Sequence, residues 1–346
     1  MNNSMSLSVD EKKRLCIFIA IAFGVTLLMS IPMYFGYRNG VNLAVFVTAQ
    51  MYYPACGVIL GRLLVKREGE QLPLAGYYAI LAGTVLLMAL AIVSLFTESQ
   101  SIIIVMSVII SVTSIIAYIV FWACGNEKID NAGVRRKNIK TSVLIIALFL
   151  ALYVIRSVFA CYLTGLRDGD MEKQFAELFD PFKKPMTWVT LFSLIINFPF
   201  AFSAFFGEEY GWRHYLQPLM QKKYGLVGGV LLLGLVWGLW HLDVDMMYYS
   251  KDTGIQMFVS QIITCVIFAI FFAYAYMKTQ NIWVPIIIHY LNNNLAFVFS
   301  GGDESVLENQ VITWGDIPIH LVSMLVFAIF IFALIFRKKK ETEPIK

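Results

Sequence analysis

Apolar residues along the chain are gathered into long blocks separated by short polar connections. Ten such blocks are visible, at roughly 15–36, 43–64, 74–96, 102–124, 143–165, 187–220, 226–248, 255–277, 282–300 and 316–336. Each is near or above the ~20 residues that a helix needs to cross the hydrocarbon core of a bilayer. The pattern predicts an all-α fold, a polytopic transmembrane helical bundle of about ten spans. The sixth block is overlong and is interrupted by Pro199 and by two adjacent glutamates, Glu208 and Glu209. No internal repeat and no low-complexity stretch breaks the series.

The connections alternate in charge. Lys12, Lys13 and Arg14 precede the first block, and Arg62, Lys66 and Arg67 follow the second. Lys128, Arg135, Arg136, Lys137 and Lys140 fill the connection after the fourth; Lys222 and Lys223 follow the sixth, Lys278 the eighth, and Arg337 to Lys340 the tenth. The intervening connections are poor in basic residues or acidic, as in Asp243-Val-Asp245 and in the GGDE of 301–304. The preference of basic loops for the cytoplasm then places both termini on that side, in a multi-pass protein of the cell membrane. The connection at 167–185 is mixed in charge, and its FAELFDPF predicts a short amphipathic helix lying on the outer surface.

Composition agrees. Of 346 residues, 59% are hydrophobic and 14% charged, against about 25% charged in a soluble domain. The net charge of +4 is small, so what matters is where the basic residues fall, and no nucleic-acid partner is expected. The five cysteines stand singly in apolar runs without a CxxC pair, which suits small apolar fillers rather than a disulfide framework or a thiolate metal site. The first block is too long for a signal-peptide core and is read as a retained span.

The basic connection at 125–141 is the strongest candidate boundary. Residues 1–140 carry four spans almost free of intramembrane charge and are read as accessory helices; 141–346 hold every polar constellation and are read as the working core. Ionisable groups at membrane depth are costly and mark function by default. Glu208 and Glu209 point about 100° apart on a helix, so they cannot face one spot. Glu209 has Arg213 at i+4 in the favourable order for an ion pair, whereas Glu208 has no cation at i±3 or i±4. Glu208 is therefore the catalytic candidate and Glu209 with Arg213 a structural or orienting pair.

Two further polar positions lie at matching depth. Glu208 and His241 are each about sixteen residues from the basic turn near Tyr224 and Gly225, roughly 24 Å along a helix rising ~1.5 Å per residue. His289 falls near the middle of the ninth block, with Asn293 at i+4 on its face. Gly225, Gly229, Gly234 and Gly238 punctuate the seventh block, where Gly234 and Gly238 form a small-xxx-small pair suited to close helix packing. His214 and His320 are read as interfacial, and Asp243 and Asp245 as solvated. A carboxylate, two imidazoles and an amide suit the activation of water: a base that returns its proton to a leaving amine, imidazoles that hold water or a divalent metal such as zinc, and an amide donor for an oxyanion.

These residues resemble the CPBP family of intramembrane proteases, which includes the type II CAAX prenyl proteases and whose motifs are EExxxR, FxxxH and HxxxN or HxxxD. Here the motifs read Glu208-Glu209-Tyr-Gly-Trp-Arg213, Trp237-Gly-Leu-Trp-His241 and His289-Tyr-Leu-Asn-Asn293, in family order within about 185–300. Trp237 stands where the family has phenylalanine and keeps an aromatic wall. The resemblance implies a glutamate- or metal-dependent intramembrane endopeptidase. In it Glu208 activates water, His241 and His289 bind the water or a metal (with Glu208 as a third ligand), and Asn293 supports the oxyanion. The implied partner is a membrane-associated peptide or protein, such as a prenylated C-terminus or a peptide precursor. Two other classes fit the same residues, a non-proteolytic peptide-binding or immunity protein and, with less support because no repeat is present, a coupled transporter.

Overall fold

The computed structural model describes residues 7–97, 100–302, 306 and 308–337. Asp303, Glu304 and Lys338–Lys340, which entered the charge pattern above, lie outside the described residues. The described chain is helical without a strand. Its main helices are α1 (Val9–Arg38), α2 (Ala44–Leu64), α3 (Leu74–Ser94), α4 (Gln100–Ala123), α5 (Ile139–Asp168), α6 (Pro185–Tyr224), α7 (Leu226–Trp240), α8 (Leu242–Tyr249), α9 (Gly254–Thr279), α10 (Trp283–Phe299) and α11 (Asp316–Phe332).

Seven of these are long and apolar enough to cross a bilayer, eight if α7 and α8, which meet at 44°, count as one broken span. The count is lower than the ten blocks suggest because apolar sequence outlasts regular helix at the C-terminal end. The block at 282–300 yields a helix of 17 residues, about 25 Å long against a hydrocarbon core of ~30 Å. It stops where Gly301 and Gly302 take positive φ. The last block turns 3-10 at Ile329–Phe332 and breaks at extended Ala333. Between α5 and α6, residues Met171–Phe179 form the short helix expected there, with no buried residue.

Side chains exposed along α4, α5 and the first half of α6, such as Val108, Leu144 and Ile195, present the apolar outer face that lipid requires. Inside, one hydrophobic cluster runs through helices from both sides of residue 140, from Phe18 and Tyr53 to Phe206 and Phe271. Contacts between helices are made close by glycine. A Cβ on Gly234 would lie 2.5 Å from the Val266 Cα, and one on Gly238 2.9 Å from the Ile262 Cα, so these glycines let α7 lie against α9 as their spacing suggested. Two others, Gly207 and Gly211, flank the glutamates on α6 and serve the same end against α2. A Cβ on Gly207 would sit 2.3 Å from the Met51 carbonyl oxygen, and one on Gly211 2.3 Å from the Pro54 Cβ.

The basic N-terminal turn and the basic connections after α2, α4, α6 and α9 gather at one end of the bundle. There Lys222 pairs with Glu11 at 3.2 Å, Arg14 with Glu70, and the Asn281 amide donates to the Lys137 carbonyl at 3.1 Å. Arg62 donates to the Asn131 carbonyl at 2.7 Å and to Tyr77 at 3.1 Å. The opposite end is tied by Arg167 to Asp316 at 2.6 Å and by backbone bonds from Asn309 and Gln310 to the Tyr248 and Tyr249 carbonyls, at 3.1 and 2.6 Å.

The close approach at Gly207 meets rigid backbone, so Gly207→Ala is expected to cost about 1–3 kcal/mol and to lower the thermal midpoint of the detergent-solubilised protein. Gly24→Ala, where an added Cβ meets nothing within 4 Å, should leave the midpoint unchanged or raised in the same scan.

Candidate active site

Three helices bring the polar motif residues to one place. Glu208 and Glu209 end the α-helical part of α6, which continues as a π-helical stretch over Tyr210–Leu216. The π-helical turn widens the helix at the motif, a distortion often met at functional sites. Despite it, the Glu209 carboxylate meets the Arg213 guanidinium at 3.2 Å with both side chains 0% exposed. Arg213 also lies over the rings of Trp237, 4.3 Å from its centroid, and Phe272, 5.0 Å away. The predicted ion pair is thus present, in full burial.

Glu209 does a second thing that its spacing from Arg213 did not show. Its other oxygen accepts from the His289 Nδ1–H at 2.9 Å. A carboxylate can only accept here, so Nδ1 carries the proton and Nε2 is the free nitrogen of the His289 ring. His241 is set the same way by different means. It sits at the break between α7 and α8, with φ −85° and ψ 0°, and its Nδ1–H donates to the Trp237 carbonyl at 2.8 Å. Its free nitrogen is also Nε2.

The break is stabilised from the first half of the chain. A kinked membrane helix leaves carbonyls without intrahelical donors, and these must be met by neighbouring side chains. The Gln50 amide donates to the Trp240 carbonyl at 3.0 Å and to Asp243 at 3.1 Å, and Ser30 donates to the other Asp243 oxygen at 2.5 Å. The Trp240 indole donates to the Ala22 carbonyl at 2.8 Å. Asp243 is therefore engaged rather than solvated. Asp245 departs further from the sequence reading, being fully buried because α8 bends 44° from the line of α7 and packs against α9.

Glu208 has no cation on its own helix and finds its partner across the bundle. It is 2% exposed, and its Oε2 accepts from the Trp237 indole N–H at 2.8 Å. The replacement of phenylalanine by tryptophan in the second motif thus supplies a donor as well as a wall; the indole nitrogen was the signal in the sequence. Glu208 is near enough to both imidazoles to act on them electrostatically. All of Glu208, Trp237, His241, His289 and Asn293 line one cavity of about 370 Å³, within the roughly 300–1,000 Å³ usual for ligand sites. Asn293 accepts from the Asn292 amide at 3.1 Å, which turns its own N–H₂ away from that neighbour.

The other two histidines are outside this group. His214 stacks on Tyr210, accepts from Arg62 at 3.3 Å and contacts the Tyr276 hydroxyl at 3.1 Å. His320 contacts Thr264 at 2.8 Å. The five cysteines are free.

Residues 185–295 match the family of Rce1-like type II CAAX prenyl endopeptidases. The matched segment contains all seven motif positions, Glu208, Glu209, Arg213, Trp237, His241, His289 and Asn293, while residues 1–184 and 296–346 lie outside it. No curated protein and no solved structure matches the chain.

Histidines whose Nδ1–H is held by a carboxylate or carbonyl have the outer shell of metal ligands. Yet among the described residues no group of three His, Cys, Asp or Glu side chains is gathered closely enough to hold an ion. His241, His289 and Glu208 do not form such a group.

Removing one partner from the buried pair strands the other charge, which typically costs about 3–5 kcal/mol. Arg213→Leu and Glu209→Gln are each expected to lower the thermal midpoint strongly. The double variant should lose clearly less than the sum, and a double-mutant cycle of thermal midpoints measures that coupling.

Proposed function

We propose that the chain is an intramembrane endopeptidase in which Glu208 is the base that activates water. What supports this reading is the cavity that collects a buried carboxylate, two imidazoles and a side-chain amide from three helices, within the segment that matches the protease family. One oxygen of Glu208 is held by Trp237, which leaves Oε1 for water. The Nε2 atoms of His241 and His289 are lone-pair acceptors, able to take a water O–H and aim its oxygen at a carbonyl.

In the reaction, Oε1 of Glu208 removes a proton as the water oxygen bonds to the scissile carbonyl carbon. The carbonyl π electrons move to oxygen, where the Asn293 N–H₂ donates to the developing charge. As the carbonyl re-forms, the C–N bond breaks and the nitrogen takes the proton from Glu208. The products are a carboxylic acid and an amine, the acid passing its remaining proton to the amine as they ionise, and Glu208 returns to its starting state. Glu209 and Arg213 touch no reacting atom; Glu209 orients His289, and Arg213 holds Glu209 in place.

Glu208→Gln keeps shape and loses the base, so turnover of a cleaved peptide in detergent should fall ~10²–10⁴-fold with little change in thermal midpoint. Full turnover, or full cellular function, in that variant would favour a peptide-binding protein instead. Trp237→Phe restores the family residue and removes only the donor to Glu208. Its kcat should fall about tenfold, equivalent to ~1.4 kcal/mol of transition-state stabilisation, with KM and stability kept; unchanged kcat would reduce Trp237 to a wall.

A further inference from the structure

The cavity has a closed end and an open end, and these differ in charge and in side. Below Glu208 the bundle is sealed by Glu209, Arg213 and Gln217, all buried, and beyond them α6 runs to the basic turn at Lys222 and Lys223. Above Glu208 the walls lead the other way, through Asn294 on α10 to Tyr248, Tyr249 and Gln310, which belong to the end that holds Arg167 and Asp316. Basic residues concentrate at the sealed end, where the N-terminal turn and the connections after α2, α4, α6 and α9 are in contact. Basic loops stay in the cytoplasm, so the open end faces away from it.

The lining has a second property. Apart from Glu208 and the two imidazoles, the described residues that line the cavity are aromatic, aliphatic, thiol, hydroxyl or amide side chains, with no lysine, arginine or further carboxylate among them. A charged group brought into such a site loses water and finds no partner, which is costly. An uncharged chain loses little, and side-chain amides such as Gln50, Gln261 and Asn292 can meet its peptide groups.

We propose that this cavity receives an uncharged, apolar peptide segment from the extracytoplasmic side of the membrane, as an inserted or translocated peptide would present it. The proposal rests on the endopeptidase reading for its chemistry, but its sidedness stands on topology alone. A carboxylate at a cytoplasmic chain end is the substrate it disfavours on both counts.

The test has two arms on the full-length chain in a bacterial membrane. In the first, Asp252→Cys at the open end and Lys223→Cys at the basic turn are treated in intact cells with a membrane-impermeant maleimide, against wild type. Asp252→Cys should be labelled at once and Lys223→Cys only after permeabilisation; the reverse pattern overturns the proposal. In the second, internally quenched peptides of Ala, Leu, Val and Ser carrying a sulfonated, impermeant dye are added to right-side-out and inverted vesicles. Cleavage should occur in right-side-out vesicles and reach inverted ones only with detergent, and Asp or Lys beside the scissile bond should lower kcat/KM at least tenfold. Cleavage confined to inverted vesicles, or indifference to charge, overturns it. If wild type in detergent cleaves no peptide above the Glu208→Gln background, the endopeptidase reading fails, while the labelling still decides the orientation.

Discussion

The carboxylate of Glu209 is the point on which the site depends. It is wholly buried, it faces the Arg213 guanidinium at 3.2 Å and it accepts from His289 at 2.9 Å. An unpaired charge at that depth is costly, and the Arg213 guanidinium offsets that cost for Glu209. Given the pair, the remaining oxygen is free to fix the His289 ring, and the ring's proton is fixed with it. The adjacent Glu208, turned away on the same helix, is left uncommitted to a cation and bonded only to an indole. Two neighbouring residues of one type thus take different duties because the helix points them at different neighbours.

The rest of the bundle holds this geometry by close backbone approach more than by polar contacts. Gly207 and Gly211 bring α6 onto α2, and Gly234 and Gly238 bring α7 onto α9. Without a hydrophobic drive between helices in lipid, such packing is what fixes their relative positions. The aromatic side chains around the cavity, among them Phe205, Trp237 and Phe272, then fill the space that the glycines leave between the helix axes.

Much of this was legible in the chain. Long apolar blocks dictate helices in a bilayer, the i+4 placement of Arg213 dictates its pairing with Glu209, and the matching depths of Glu208, His241 and His289 follow from helical rise. What could not be read is where helices stop being regular. The break at His241 has no proline or glycine at its site; it exists because Gln50, 190 positions earlier in the chain, supplies the donor that the kink requires. The bounds of the last two helices were out of reach for a related reason, since apolar composition continues past the end of α10 and through the 3-10 turn of α11. Asp245 was misplaced because its burial depends on that same bend. The donor role of Trp237 was available in principle, as an indole in a wall position has an N–H to satisfy.

The clamp formed by Ser30, Gln50 and Asp243 ties the first two helices to a residue inside the stretch that carries all the motifs. A fragment trimmed to 185–295 would keep every motif side chain and lose the amide that sustains the bend beneath His241. The unit that heredity must transmit whole is accordingly larger than the stretch bearing the family's signature, and exchanging the leading helices between relatives would trade away ring geometry along with lipid-facing surface.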